Sequence, residues 1–166
     1  TLARMNDTGV KVFDLEILRL DVQFDVQRYL PFFEVGAQLG AKAVLVAGYD
    51  PEQGRLIEHY ARLCEAMQPF GLSANLEFMP WTAVNDLACA LHIVEQANRP
   101  NAGILVDALH FDRSDSRFED LQRIPAKWLH YAQICDGPAL RPDTHEGLIH
   151  AARCERLLPG EGAIDL

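Results

Sequence analysis

Acidic side chains close several apolar segments of this 166-residue sequence, where they could bind a cation or move a proton. The clearest case is residues 104–106, Ile-Leu-Val, which run directly into Asp107, with His110 three positions later. Such an apolar run is typical of a strand buried on both faces. A carboxylate at its end is unfavourable unless it is paired or bound to a metal. A simpler alternative is that Asp107 caps the next helix and that a backbone carbonyl satisfies His110.

The same arrangement recurs along the chain. Polar residues lie in or just after other predicted strands, at Glu16, Glu77, Gln133, Asp136 and Glu161. Carboxylates gathered in one cavity repel one another at low dielectric unless a cation is present. Oxygen-rich ligation favours Mg²⁺ or Mn²⁺ over a thiolate zinc site. Each residue alone has an ordinary structural explanation, but their recurrence at successive strand ends favours a divalent metal.

The composition limits the class of function. The formal net charge of −9 argues against nucleic acid or an anionic membrane as the main partner. No apolar run approaches membrane-spanning length, and no charged-then-apolar leader opens the sequence. The four cysteines include no Cys-x-x-Cys pair, so we expect reduced thiols in a cytoplasmic protein.

Strand-like and helix-like segments alternate along the chain. Apolar, β-branched runs predict the strands, and apolar residues spaced three or four apart predict the helices. The predicted strands are residues 10–20, 41–48, 72–79, 101–107, 128–135 and 155–158. The predicted helices are residues 24–39, 51–69, 82–98, 118–123 and 144–154, the third capped by Thr82. This alternation predicts an α/β fold with a parallel sheet.

Two parallel architectures fit this order, an open doubly wound sheet and a (β/α)8 TIM barrel. The open sheet usually carries a glycine-rich first turn, which this sequence lacks. Polar residues at the ends of several strands are typical of the barrel, which needs eight strands where we count about six. We therefore expect residues 1–166 to form a single, incomplete barrel domain without the first two strands and the last helix. Its open edges could pair with another chain, as in a homo-oligomer.

Four short motifs carry a family resemblance: residues 76–81 (Leu-Glu-Phe-Met-Pro-Trp), 106–111 (Val-Asp-Ala-Leu-His-Phe), 133–136 (Gln-Ile-Cys-Asp) and 158–162 (Leu-Pro-Gly-Glu-Gly). They resemble the xylose-isomerase-like TIM barrels, the sugar phosphate isomerase/epimerase family. In that family a Glu, an Asp, a His and a Glu from successive strands bind Mn²⁺ or Mg²⁺, with Zn²⁺ or Co²⁺ as alternatives. The resemblance implies that Glu77, Asp107 and Glu161 are ligands, with Gln133 in place of the usual His.

The chemistry shared by that family is removal of a proton next to a carbonyl, through an enediolate stabilised by the metal. The resemblance implies that Glu77 and Glu161 also serve as acid or base, and that His110 can move a proton. Candidates to bind the small polyhydroxylated carbonyl substrate are Glu16, His110, Asp136, Arg141 and Arg153. Surface salt bridges would explain the two arginines equally well.

Several functions remain open from the sequence. One is a metal-dependent isomerase or epimerase, and another is a dehydratase of the same family, acting on 3-dehydroshikimate or an inosose. Gln133 leaves both open, because dehydratases of the family also vary at this position. A third is a non-catalytic sugar-binding barrel, which an incomplete ligand set would favour. Abasic-site endonucleases share the fold, but they use more histidine ligands and a basic groove.

Overall fold

The computed structural model of the protein describes residues 2–166 and contains one sheet of five parallel strands. The strands are β1 (Asp14–Leu20), β2 (Ala43–Gly48), β3 (Ser73–Glu77), β4 (Ala102–Asp107) and β5 (Ala132–Gln133). The helices are α1 (Leu2–Thr8), α2 (Leu30–Leu39), α3 (Gln53–Met67), α4 (Leu87–Ala97), α5 (Ala108–Arg113), α6 (Phe118–Leu121) and α7 (His145–Cys154). The strands lie side by side in chain order. A doubly wound sheet would instead reverse its strand order at the switch point.

Most of the core lies on the face of the sheet that packs against the helices. Val46, Leu76 and Ile104 are fully buried there, in one cluster with residues of α3 and α4. Tyr60 of α3 fixes this layer, because its buried hydroxyl donates a hydrogen bond to the Ala74 carbonyl at 2.8 Å. The same hydroxyl accepts the N–H of Gly103 at 3.2 Å. Helix α3 is thereby joined to both β3 and β4.

The other face of the sheet encloses a smaller interior. Leu45, Ala47, Met79 and Leu105 pack there, with Trp81 and Tyr131 against them. The ring of Phe13, just before β1, meets the ring of Tyr131, just before β5, edge to face at 5.3 Å. Since β1 and β5 are the two edges of the sheet, this contact shows that the sheet curls around its interior.

Side-chain caps fix where four of the described helices, α3, α4, α5 and α7, begin. Helix α4 begins after Asp86, whose carboxylate accepts the N–H of Cys89 at 2.7 Å, so the prediction of Thr82 as its cap is wrong. The Thr82 hydroxyl bonds instead to backbone carbonyls on either side of it, Met79 at 3.0 Å and Val84 at 2.9 Å. Helix α7 begins after Thr144, as the sequence predicts. Within residues 2–166 no helix is long and apolar enough to cross a membrane.

The last third of the chain differs most from the prediction. The strand predicted at residues 155–158 is wrong, because this segment makes only one antiparallel bridge, between Leu157 and Asp136. Strand β5 has two residues rather than eight. The described sheet therefore has five strands where about six were expected. Residues 155 and 156 are charged and exposed, which explains why the segment does not enter the sheet.

Candidate active site

Three potential metal ligands lie together at the carboxyl ends of neighbouring strands. Glu77 is the last residue of β3, Asp107 is the last residue of β4, and His110 is in the first turn of α5. One ligand atom from each lies within 4.8 Å of the other two. All three side chains are buried, with 3%, 0% and 3% of the residue surface exposed. The carboxyl ends of parallel barrel strands are where active sites of this architecture lie.

Asp107 is held by both of its oxygens. Oδ1 accepts the backbone N–H groups of Leu109 and His110, at 2.9 Å and 3.1 Å, and so caps α5. Oδ2 accepts a hydrogen bond from Nη1 of Arg156 at 2.7 Å. The simpler explanation of Asp107, a helix cap, is therefore correct for one oxygen, while the other oxygen faces the neighbouring charged groups.

Glu77 has no comparable support. No hydrogen-bond donor among residues 2–166 reaches its carboxylate, and Nε2 of the His110 imidazole lies 3.8 Å from Oε1. Burial, and next the charge of Asp107, raise the pKa of Glu77 to about 8. A buried carboxylate without donors, beside a second carboxylate, is the arrangement that a bound cation would stabilise. The donor set therefore fits a divalent metal.

His110 is buried without a full set of partners. Burial lowers its pKa to about 4, although Asp107 opposes this shift. Its Nδ1 has no hydrogen-bond partner in the described chain. The backbone carbonyl of the simpler alternative is therefore not bonded to Nδ1. Nε2 lies 3.5 Å from Nη2 of Arg156, and the Trp81 ring packs edge to face against the imidazole at 5.0 Å. A neutral imidazole in this position can ligate a cation or accept a proton.

A cavity of about 260 Å³ opens beside these residues and is lined by Glu77 and His110. Two further predicted residues, Glu16 and Gln133, line the same cavity. They contact each other, because Nε2 of Gln133 donates to Oε1 of Glu16 at 2.9 Å. Gln133 also lies directly beside Asp107 in the register of β4 and β5. The structure thus brings Glu16 and Gln133 to the cavity at the carboxyl end of the sheet.

The two arginines predicted to bind the substrate lie in different parts of the structure. Arg153 lines the cavity. Arg141 is exposed and lies 3.7 Å from Asp115, which is the surface salt bridge that the sequence left open. The arginine that contacts the buried cluster is Arg156, which the sequence analysis did not select. Buried carboxylates need a nearby cationic side chain, and this was the available signal. The sequence contains several arginines and does not show which of them fills this role.

Glu161 and Asp136 lie apart from the three clustered residues. Glu161 is exposed. The buried carboxylate of Asp136 accepts backbone N–H groups of Gly160 and Gly162, at 3.0 Å and 2.9 Å, on either side of Glu161. Backbone hydrogen bonds, that of Ile164 first, lower the pKa of Asp136 to about 2. The Asp136 carboxylate therefore stabilises this loop through its backbone N–H groups. Glu161 lies in the same loop, at the surface.

Comparison with known proteins decides the family. The sequence pattern described as xylose isomerase-like TIM barrel matches residues 20–166. The chain belongs to this family. The resemblance of the four motifs and the predicted barrel fold are thereby confirmed, and the curled sheet contains five parallel strands of such a barrel.

Three similar proteins illustrate how the chain relates to known sequences and structures. An inosose isomerase of Bacillus licheniformis is 30% identical over 152 residues, which are 85% of this chain and 52% of the relative. A 3-dehydroshikimate dehydratase of Pseudomonas aeruginosa is 28% identical over 140 residues, 81% of this chain and 22% of the relative. The crystal structure of the IolI protein with a bound zinc atom has a TM-score of 0.80 at 24% identity, covering 99% of this chain and 63% of that chain. The chain therefore spans about half the length of the inosose isomerase.

Proposed function

We propose that this chain carries the metal-binding half of an active site that isomerises or epimerises a small polyhydroxylated carbonyl compound. The reaction moves a proton at a carbon next to the carbonyl. One observation carries the proposal: within residues 2–166 the buried Glu77 carboxylate has no hydrogen-bond donor, yet it lies beside Asp107 and His110. Relatives named inosose isomerase and 3-dehydroshikimate dehydratase support this class of reaction.

Glu77, Asp107, His110 and Gln133 are the residues that would hold the cation, and Mn²⁺ or Mg²⁺ suits their mainly oxygen donors. When bound, the cation polarises the substrate carbonyl as a Lewis acid. Glu77 is also the residue best placed to take up or return a proton, since burial raises its pKa toward neutrality. The zinc atom in the crystal structure of the similar IolI protein supports the choice of a divalent ion.

Around these residues, two neighbours shape the cavity. Arg156 holds Asp107 through one guanidinium nitrogen, and with 33% of its side chain exposed it can also reach a substrate oxygen. Trp81 packs against His110 and lines the same cavity, where it limits the water that reaches the imidazole. Both residues would orient a substrate against the cation-binding side chains.

A dehydratase is the second candidate, because the cavity is rich in arginine. Arg19, Arg153 and Arg156 all line it. Among the described residues, neither Arg19 nor Arg153 takes part in an ion pair, although acidic residues outnumber basic ones by 24 to 15 in the chain. Unpaired guanidinium groups suit a carboxylate, and 3-dehydroshikimate carries one. A preference for carboxylated over neutral substrates would favour the dehydratase.

The deciding experiment follows solvent deuterium in the purified protein. Ketoses, inososes and 3-dehydroshikimate are incubated in D₂O with Mn²⁺, and products and recovered substrates are examined by NMR. We expect deuterium next to the carbonyl only when the metal is present. Glu77→Gln should slow this exchange by about 10²–10⁴-fold, because it removes a proton-transfer group and an anionic ligand.

Glu34→Gln is the matched control, because Glu34 is an exposed glutamate on α2. It should leave exchange unchanged. Turnover that survives exhaustive chelation, or a Glu77→Gln protein that exchanges as fast as the Glu34→Gln control, would contradict the proposed function. Specific sugar binding with no exchange for any substrate would identify a non-catalytic barrel instead.

A further inference from the structure

We propose that Glu16 is a positioning residue for Gln133, and that it acts on the cation site rather than on the substrate. Glu16 holds the amide of Gln133 so that its carbonyl oxygen is the atom left free for a cation at Glu77, Asp107 and His110. This inference rests on the proposed metal-dependent function and names one device by which this chain builds the site.

The contact fixes the orientation of the amide. Nε2 of Gln133 donates to Oε1 of Glu16 at 2.9 Å. A carboxylate can only accept hydrogen bonds, so the NH₂ end of the amide must face Glu16 whichever way the group is drawn. The carbonyl oxygen of Gln133 has no hydrogen bond within residues 2–166. That oxygen is therefore available as a neutral ligand, whereas a reversed amide would turn its NH₂ group toward a cation and repel it.

The Gln133 side chain lies beside the proposed cation site. Gln133 lies next to Asp107 in the parallel register of β5 and β4. Glu16 comes from β1, at the opposite edge of the sheet, so its side chain reaches across the interior. Both residues line the cavity that contains Glu77 and His110. Outer groups that orient a metal ligand typically change metal affinity by about 10–100-fold when they are removed.

Two other roles of Glu16 give different results. A residue that only bound the substrate would not affect metal binding when no substrate is present. If Glu16 acted only through its negative charge, removing that charge would weaken cation binding equally with or without the Gln133 side chain. Orientation requires both side chains, so it appears as a coupling between the two positions in a double-mutant cycle.

The test is Mn²⁺ binding without substrate, measured by calorimetry and by the electron paramagnetic resonance signal of free Mn²⁺. Glu16→Gln should weaken binding by about 10–100-fold, because the charge-assisted hydrogen bond that fixes the Gln133 side chain is lost. Asp14→Asn removes the same charge from the same strand without contacting Gln133, and should change binding less than about threefold. In a Gln133→Leu background, Glu16→Gln should have the effect of Asp14→Asn alone. Glu16→Ala repeats the comparison if the first variant folds poorly.

An equal effect of Glu16→Gln and Asp14→Asn would overturn the proposal, as would a Glu16→Gln effect that persists undiminished beside Gln133→Leu. In both cases the unsubstituted protein still binds Mn²⁺, and the proposed function stands. A failure of the unsubstituted protein to bind any divalent cation would overturn the positioning role together with the proposed function.

Discussion

At the scale of single residues, Arg156 is the cationic side chain that pairs with the buried Asp107 carboxylate. It donates to Asp107 at 2.7 Å from a partly exposed position. Arg156→Met should therefore lower the free energy of unfolding by about 1–3 kcal/mol in chelator, after allowing for its exposure. Mn²⁺ should reduce this loss, because the cation replaces the missing positive charge. Urea denaturation with and without Mn²⁺ measures both effects.

Arg153→Met is the control for this substitution. Arg153 lines the same cavity but has no ion pair in the described chain, so its loss should change the free energy of unfolding by less than about 0.5 kcal/mol. Equal stability of the two variants in chelator would show that Arg156 does not support Asp107.

At the residue scale, local sequence signals pointed to residues that lie together in the structure. Glu77, Asp107 and His110 each close or follow an apolar strand, and the structure brings them within 4.8 Å of one another. Arg156 could not be selected in this way, because its ion pair joins positions 49 residues apart. The surface position of Glu161 depends on hydrogen bonds made by a distant carboxylate, which no local pattern records.

At the scale of elements, the loop at residues 160–164 depends on the charge of Asp136. Its carboxylate accepts N–H groups from Gly160, Gly162 and Ile164. These bonds, with that of Gly137, hold its pKa near 2, below the ordinary value of 3.8. The native state thus favours the ionised group, so the stabilisation is complete above 3.8 and is lost as the pH falls toward 2.

We expect the amides of Gly160 and Gly162 to lose hydrogen-exchange protection over this acidic range. Asp136→Asn should remove much of that protection even at neutral pH, because one acceptor becomes a donor. Asp143→Asn, at an exposed position, is the control. NMR hydrogen exchange reports each amide, and protection that is independent of pH and of residue 136 would contradict this account.

Elements were predicted well where each strand is buried on both sides. Strands β2, β3 and β4 lie within their predicted ranges, since continuous apolar runs leave little choice of structure. The last third was predicted less well. The run at residues 128–135 suggested a strand of eight residues, but only Ala132–Gln133 pairs with β4, because tertiary packing decides how far an edge strand extends.

At the scale of the whole molecule, the sheet has two edges that pair with nothing in the described chain, and apolar surface lies beside one of them. Ile134, just after β5, is 62% exposed. A groove of about 340 Å³ adjoins it, lined by Val106, Phe111 and Phe118 among others. Unpaired edges and apolar patches favour association. The polypeptide of residues 1–166 should therefore associate in a concentration-dependent manner.

Sedimentation velocity over a range of micromolar concentrations measures this association. Ile134→Lys should reduce it, because a charged residue at a sheet edge disfavours pairing. Gln122→Lys adds the same charge at an exposed position that belongs neither to β5 nor to the groove lining, and it should have little effect. A single monomeric species at every concentration, in all three proteins, would refute this expectation.

The divided carboxylate of Asp107 has an evolutionary consequence. One oxygen starts α5 and the other pairs with Arg156, so under the proposed function selection for folding and selection for chemistry act on a single side chain. Serine at this position could keep the helix start and discard the chemistry. Glutamate could keep the negative charge but would misplace the helix start. Substitution of residue 107 during the evolution of a new activity would therefore destabilise the fold, unless another residue first took over the helix cap or the chemical role.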